Sequence, residues 1–431
     1  MGKLIIILVA AFLIRFITLN QSLWLDEGTT AKVVGEFSYS AIFTRFSPTD
    51  FHPPLFYLVE KLWTSVFGTS EIALRMPSII FSLLTGWVVY LLGGIWTAVF
   101  FLFNPLIVYY SQEARMYMMV TCLLTAAVYY FTKILRINGL TNLLLFTLFS
   151  VLSFYTFYGS IFLIVPLYLF LFYKKQYRAF IISGLIFGVS LLVISPLLIR
   201  QLANSREALK IVVNWKQALG TVNLKNLLLI PLKFAFGRIS FYPKWLYWGL
   251  AGIWTIFIWL SVLKNGLKHK LYLYLIFSSL AIGMLFSFFS PLLQYFRFLF
   301  LIPLMVLLVD NKNITNRYVM LAGFVVLSLV YLLSPQFYRE DWKSLAKRLP
   351  ANEPIYAIPS SMDALFYYRN VHINDLRKID QAVDEKLVVI PYTAYIYGLD
   401  YKKSLIDQGY KLDKTVNFRG VEYEEWNSEA R

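Results

Sequence analysis

AFIISGLIFGVSLLVISPLLI, residues 179–199, runs for 21 positions without a charged side chain. As a helix rising 1.5 Å per residue it measures roughly 30 Å, the thickness of a bilayer's hydrocarbon core. Apolar stretches recur on both sides of it, near 4–19, 76–92, 95–110, 116–132, 141–157, 159–173, 245–263, 271–289, 297–309 and 318–334. Two of these, 95–110 and 297–309, are short, and breaks fall at Gly93-Gly94, Asn104-Pro105 and Ser290-Pro291. The expectation is an α-helical polytopic membrane protein with about 11 spans over residues 1–334. Composition agrees: 58% of residues are hydrophobic and 15% charged, against roughly 25% charged in soluble domains.

Lys3 and the apolar run after it look like a signal peptide, but the run contains Arg15 and no small-residue cleavage site follows. An uncleaved first span is expected. With the N-terminus cytoplasmic, the inside connections carry Lys133 and Arg136, then Lys174, Lys175 and Arg178, then Lys264, Lys268 and Lys270, then Lys312 and Arg317, with Asp310 the one acidic residue. That is the positive-inside pattern of a plasma or inner membrane. The net charge of +16 therefore reads as basic loops against anionic lipid, and no nucleic-acid partner is expected. Residues 200–244 run against the frame, because they fall outside yet carry eight cations against Glu207. They are expected near the head of a charged substrate. The single cysteine, Cys122, excludes an intramolecular disulfide.

Past residue 335 charged residues become frequent. EDWKSLAKRL (340–349) has the spacing of an amphipathic helix, Pro354–Ile358 and Leu387–Pro391 read as buried strands, and 361–369 and 393–408 read as helices. Residues 335–431 are expected to form a small α/β extracytoplasmic domain.

The chemistry-bearing residues cluster on the outer side of this frame. The first external loop, about 20–75, opens with SLWLDEG, and Asp26-Glu27 next to a membrane surface reads two ways. An acidic pair suits a helix N-terminus, and a carboxylate there also suits a general base on a hydroxyl. Asp50 and His52, before Pro53-Pro54, stand two apart and aim at one side, toward a phosphate or a divalent metal ion. The second external loop holds Tyr110, Gln112, Glu113 and Arg115, and Arg297 stands at another outer edge. Carboxylates, a histidine and arginines beside the headgroups suit a substrate with an embedded tail and a phosphate head.

These stretches resemble the GT-C glycosyltransferases, the group that includes protein O-mannosyltransferases and the aminoarabinose transferase of lipid A. The likeness lies in SLWLDEGTT (22–30), DFHPPLFYL (50–58), EIALRMPSIIFSLLTG (71–86), NPLIVYYSQEARMYMM (104–119), QYFRFLFLIP (294–303) and REDWKSLAKRL (339–349). It implies an enzyme that takes a sugar from a polyprenyl-phosphate donor on the outer face and transfers it, with inversion, to a protein, lipid or glycan acceptor. Asp26 is implied as the catalytic carboxylate, with Glu27 supporting it. His52, Tyr110, Gln112, Glu113, Arg115 and Arg297 are implied at the donor, and Asp50 with His52 as the place for a divalent metal ion. The chain departs from the group in its tight Gly93-Gly94 turn and its smaller number of spans. The alternative is a flippase or transporter of lipid-linked sugars or polysaccharides, which predicts ionisable residues inside the spans.

Overall fold

A computed structural model describes residues 2–137, 139–309 and 313–428. Asp310 and Lys312, counted among the loop charges above, lie outside the described residues. Every one of the apolar stretches is helical over most of its length. Six helices are long and apolar enough to cross a bilayer: Glu71–Gly93, Tyr117–Arg136, Tyr177–Ile211, Lys244–Gly266, Lys270–Ser287 and Ile314–Leu333. Shorter apolar helices cover Leu140–Thr156, Tyr158–Tyr173 and Tyr295–Val309.

The stretch 95–110 is two helices, Ile95–Leu102 and Pro105–Ser111. Pro105 has no N–H, and the Asn104 side chain accepts from the N–H groups of Leu106 and Ile107, capping the second helix. Leu106 would otherwise bond to the carbonyl of Leu102. That freed carbonyl accepts from Arg15 Nη2 at 2.8 Å, while Arg15 Nη1 donates to Ala11 O at 2.7 Å. The arginine that interrupts the first apolar run thus repairs a helix break.

The region 200–244, expected as a loop, is largely helical. The Tyr177–Ile211 helix has 35 residues, about 52 Å of rise, and so outlasts the hydrocarbon core. Its added turns reach the first loop: Gln201 Nε2 donates to Ser47 O at 2.7 Å and His52 O at 2.9 Å, and Asn204 Nδ2 donates to Pro48 O. Helices Trp215–Leu219 and Leu224–Phe236 follow. Six of the eight cations there (Arg200, Arg206, Lys210, Lys216, Lys225 and Lys244) are exposed, and Arg238 alone bonds to a residue of the second loop, Tyr109. The first loop is likewise built of helices, chiefly Leu25–Glu36 and Leu55–Phe67.

The C-terminal part carries five strands: β1 Ile355–Ala357, β2 Ile373–Asp375, β3 Lys386–Val389, β4 Tyr410–Phe418 and β5 Val421–Ser428. Their order is β2-β1-β3-β5-β4, with β1 parallel to β2 and β3, and β5 antiparallel to both β3 and β4. Neighbouring strand residues point to opposite faces, so Ile355 and Ala357 pack with Trp342 and Leu345 while Tyr356 and Ile358 pack with Leu376 and Tyr401. Helices cover both sides.

This sheet domain is fastened to the first loop beside Asp26-Glu27. Asp363 accepts from Thr29 Oγ1 at 2.9 Å and from Lys32 Nζ at 2.8 Å, and Leu23 N–H donates to Tyr368 Oη at 2.8 Å. A side chain on Gly28 would sit 2.3 Å from the Ala364 backbone nitrogen. Only glycine admits so close an approach of the two segments.

Candidate active site

Adjacent residues on a helix point about 100° apart, and this separates the two carboxylates on the first turn of Leu25–Glu36. Glu27 turns inward and is fully buried. Its Oε1 accepts from Arg75 Nε at 2.8 Å and Ala114 N–H at 2.8 Å, and Oε2 from Arg75 Nη2 at 2.6 Å. Trp24 N–H also donates to Oε2 at 3.4 Å, the return half of a capping box. Arg75 spends its remaining donors on the carbonyls of Leu19, Gln21 and Ser22. Glu27, expected to support Asp26, joins the first loop, the second loop and the Glu71–Gly93 helix.

Asp26 faces the other way, with 36% of its side chain exposed and Arg115 Nη2 3.6 Å from its Oδ2. Arg115 is buried, and its Nη1 donates to Tyr57 Oη at 3.3 Å. Asp50 lies within the reach of Arg115's charge, and His52 Nδ1 is 3.5 Å from Asp50 Oδ1. Burial acts to raise Asp50, yet His52 and Arg115 hold it below the usual carboxylate range. His52 stacks on Phe157 with ring centres 6.5 Å apart.

On another side of the cleft, Glu113 pairs with Arg339, whose Nε and Nη2 both lie 3.0 Å from Oε1. Burial raises Glu113, against the pull of Arg339. The Arg339 guanidinium lies 3.8 Å over the Trp24 ring. Tyr109 Oη accepts from Arg238, and Tyr110 meets Tyr109 and Tyr117 edge to face and Phe296 at a tilt. Arg297 lies over the Phe296 ring and feels the charge of Asp26, with Nη1 3.2 Å from both Leu219 O and Pro291 O. Gln112, expected at the donor, is spent elsewhere: Nε2 donates to Arg15 O and Ile17 O at 2.8 Å, and Oε1 accepts from Tyr331.

Among the described residues thirteen buried side-chain polar atoms have no hydrogen-bond partner, and six of them belong to Trp24, Asp50, Tyr110, Glu113, Arg115 and Glu340. Buried polar groups are ordinarily paired; of these six, Arg115 lies against Asp26, Asp50 feels the charge of Arg115, and Glu113 is held by Arg339. Glu340 enters through Tyr392, whose hydroxyl donates to it at 3.3 Å. Burial, Glu340 and Asp26 together push the Tyr392 phenol up. No three Asp, Glu, His or Cys side chains gather as a metal set among the described residues. Asp50 Oδ2 and His52 offer two ligands, which suits an ion completed by phosphate and water rather than a protein cage.

The sequence reading missed Arg75, Arg339, Tyr57, Trp24 and Tyr392, whereas Arg238 was among the eight cations of 200–244 expected near the substrate head. Arg75 carried a usable signal, since an arginine within an apolar helix needs a partner. Nothing in the spacing of Tyr392 marks it.

Behind Glu27 sits Glu60, buried on the Leu55–Phe67 helix with Oε1 unpartnered. Burial, reinforced by Glu27, raises its pKa well above 4.5. Between 4.5 and that raised value the folded chain holds a proton the unfolded chain has lost, so stability falls as pH rises, by about 1.4 kcal/mol per unit. Glu60→Gln is expected to melt above the parent, by a margin that widens from pH 5 upward and closes below about pH 4. Parallel melting curves across that range would remove the buried-acid assignment.

Residues 51–199 match the family model described as dolichyl-phosphate-mannose-protein mannosyltransferase. The fold is similar to two crystal structures of ArnT from Cupriavidus metallidurans, one in the apo state and one bound to undecaprenyl phosphate. Both have a TM-score of 0.58 and cover 98% of each chain, at 12% and 13% identity. No curated protein matches the chain by sequence.

Proposed function

We propose that this chain, which falls in the GT-C superfamily of membrane glycosyltransferases, moves a sugar from a polyprenyl-phosphate donor to an acceptor hydroxyl or phosphate, with Asp26 as the catalytic carboxylate. The observation that carries the reading is the division of labour on one helix turn. Glu27 is locked by Arg75, while Asp26 stays about a third exposed beside Arg115, whose buried Nε has no partner. Inner-membrane placement with the cleft on the extracytoplasmic face is part of the proposal, supported by the basic loops at the opposite ends of the spans.

In the reaction the acceptor oxygen attacks the anomeric carbon and yields any proton it carries to Asp26. The bond from that carbon to the phosphate oxygen breaks on the opposite face, which inverts the centre. The lipid phosphate departs as an anion and needs no proton from an acid. Arg115, Arg297 and His52 stand where positive charge or hydrogen bonds meet that developing charge. A divalent cation held between Asp50, His52 and the donor phosphate would add to the same charge stabilisation.

The test is incubation of the purified chain with a labelled polyprenyl-phosphate sugar. Release of lipid phosphate with an inverted product supports transfer, and movement of intact donor across vesicles without release supports a flippase. The flippase reading is weakened because Arg15 and Arg75, two buried arginines on helices of the membrane part, are spent on backbone carbonyls and Glu27. For the cation, dialysed donor-free protein is expected to hold no stoichiometric metal, chelator to slow release, and Mg2+ or Mn2+ to restore it. Release unaffected by chelator would remove the cation from the reaction.

A further inference from the structure

We infer that a crevice of the sheet domain, bordered by Glu340 and Tyr392, binds a neutral saccharide and offers one of its hydroxyls to Asp26. This rests on the transferase reading above and adds the class of the acceptor.

The order of the strands makes the crevice. β1 is parallel to β2 on one side and to β3 on the other. After β1 the chain enters the Asp363–Tyr368 helix, whose Ala364 and Leu365 pack with Ile355 and Ala357 on one face. After β3 it turns to the opposite face, where Ala394 and Tyr401 pack with Tyr356 and Ile358. Adjacent parallel strands whose connections leave toward opposite faces open a gap at their carboxyl ends, where ligands of such sheets bind. Here the two turns meet through hydroxyls, with Thr393 Oγ1 donating to Ser361 Oγ at 2.9 Å. Directly after Tyr392, Thr393 holds φ at +66°, a conformation unfavourable for a β-branched residue.

This end of the sheet is the one fastened to the first loop. Asp363 accepts from Thr29, which stands three positions after Asp26 and so on the same side of their helix. Tyr392 Oη donates to Glu340 Oε1 at 3.3 Å, while the buried Oε2 has no partner among the described residues. Arg339, next to Glu340 in the chain, lies over the Trp24 ring, whose buried Nε1 is also unpartnered. The carboxylate oxygen needs a donor and the indole N–H needs an acceptor, and a saccharide hydroxyl is both. A phosphate dianion brings no donor, and it would meet the charges of Glu340 and Asp26, both of which reach Tyr392. A peptide pairs along sheet edges, but the edges are β2 and β4, and the crevice opens between the inner strands β1 and β3. In the transfer the saccharide oxygen bonds to the donor's anomeric carbon and its proton passes to Asp26. The lipid phosphate leaves with the bonding electron pair.

The test uses the full chain in a zwitterionic detergent without a sugar headgroup, and no donor. Saturation-transfer NMR titrations measure the methyl glycosides of glucose, galactose, mannose and N-acetylglucosamine, and the tripeptide amide acetyl-Ala-Thr-Ala. At least one glycoside is expected to bind, with Glu340→Gln weakening it at least tenfold and Tyr392→Phe at least threefold. Tyr392→Phe keeps the ring that packs edge-on against Trp342, so it decides the matter if Glu340→Gln does not fold. No glycoside bound, affinity unchanged in both variants, or the tripeptide bound in place of the glycosides overturns the proposal. The glycoside that binds is then added to the labelled-donor assay. There Glu340→Gln is expected to raise the KM of the glycoside at least tenfold and to leave the KM of the donor near the parent's. The reverse split would place Glu340 at the donor's sugar and overturn the acceptor assignment. Because the titrations contain no donor, their failure leaves the transferase reading to its own test.

Discussion

Asp26→Asn is expected to cut sugar transfer by about 10²–10⁴-fold, the range a positioned general base supplies. The substitution keeps the side chain's shape and removes its charge and basicity. It leaves the Glu27–Arg75 contacts untouched, because Asp26 makes none of the bonds that join the loops. Melting temperature and donor binding are therefore expected to stay near the parent's, so the loss appears in the rate of lipid-phosphate release. Arg115 will lose its nearest carboxylate, Asp26 at 3.6 Å, and keep its contact with Tyr57. A contrast with Glu27→Gln sharpens the assignment. That variant is expected to lower stability first and activity in proportion to the folded fraction. If Asp26→Asn releases lipid phosphate as fast as the parent, Asp26 is not the base.

The membrane spans were legible because hydropathy is a local property, and an apolar run of about 20 residues has few alternatives to a helix in lipid. The region 200–244 was misread as a loop because its polar turns extend a membrane helix beyond the bilayer, where hydropathy no longer reports on structure. Its cations were counted as one group, whereas the fold sends Arg238 to Tyr109 and leaves six on the surface. The hairpin Tyr410–Ser428 went unread although Arg419-Gly420, with Gly420 at φ +72°, is a turn signal. Strand Tyr410–Phe418 lies at the sheet edge and is mostly exposed, so its charged residues hide the alternation. Spacing alone left the roles of Asp26 and Glu27 open, and only the resemblance put Asp26 first with Glu27 in support. Which of two neighbours faces a cleft depends on helix phase and on a partner 48 positions away, Arg75.

That partner sets the largest expected structural effect. Arg75→Met leaves Glu27 buried without its cation and removes the donors held by three backbone carbonyls. Breaking a buried pair from one side costs about 3–5 kcal/mol, a large part of a domain's margin. The variant is expected to express poorly and to elute as aggregate, with no measurable transfer. Arg75→Lys is expected to fare little better, because one ammonium has three donors where this guanidinium serves two carboxylate oxygens and three carbonyls. Removing the charge on both sides separates cost from cause. Glu27→Gln with Arg75→Met is expected to recover part of the folded yield, because no buried charge is then left alone, yet not all of it, because the carbonyls of Leu19, Gln21 and Ser22 stay unmatched. Folded yield and melting temperature of the three variants against the parent decide it. A double variant no better than Arg75→Met would show that Arg75 acts through those carbonyls, by shaping the chain just before Asp26, rather than through Glu27.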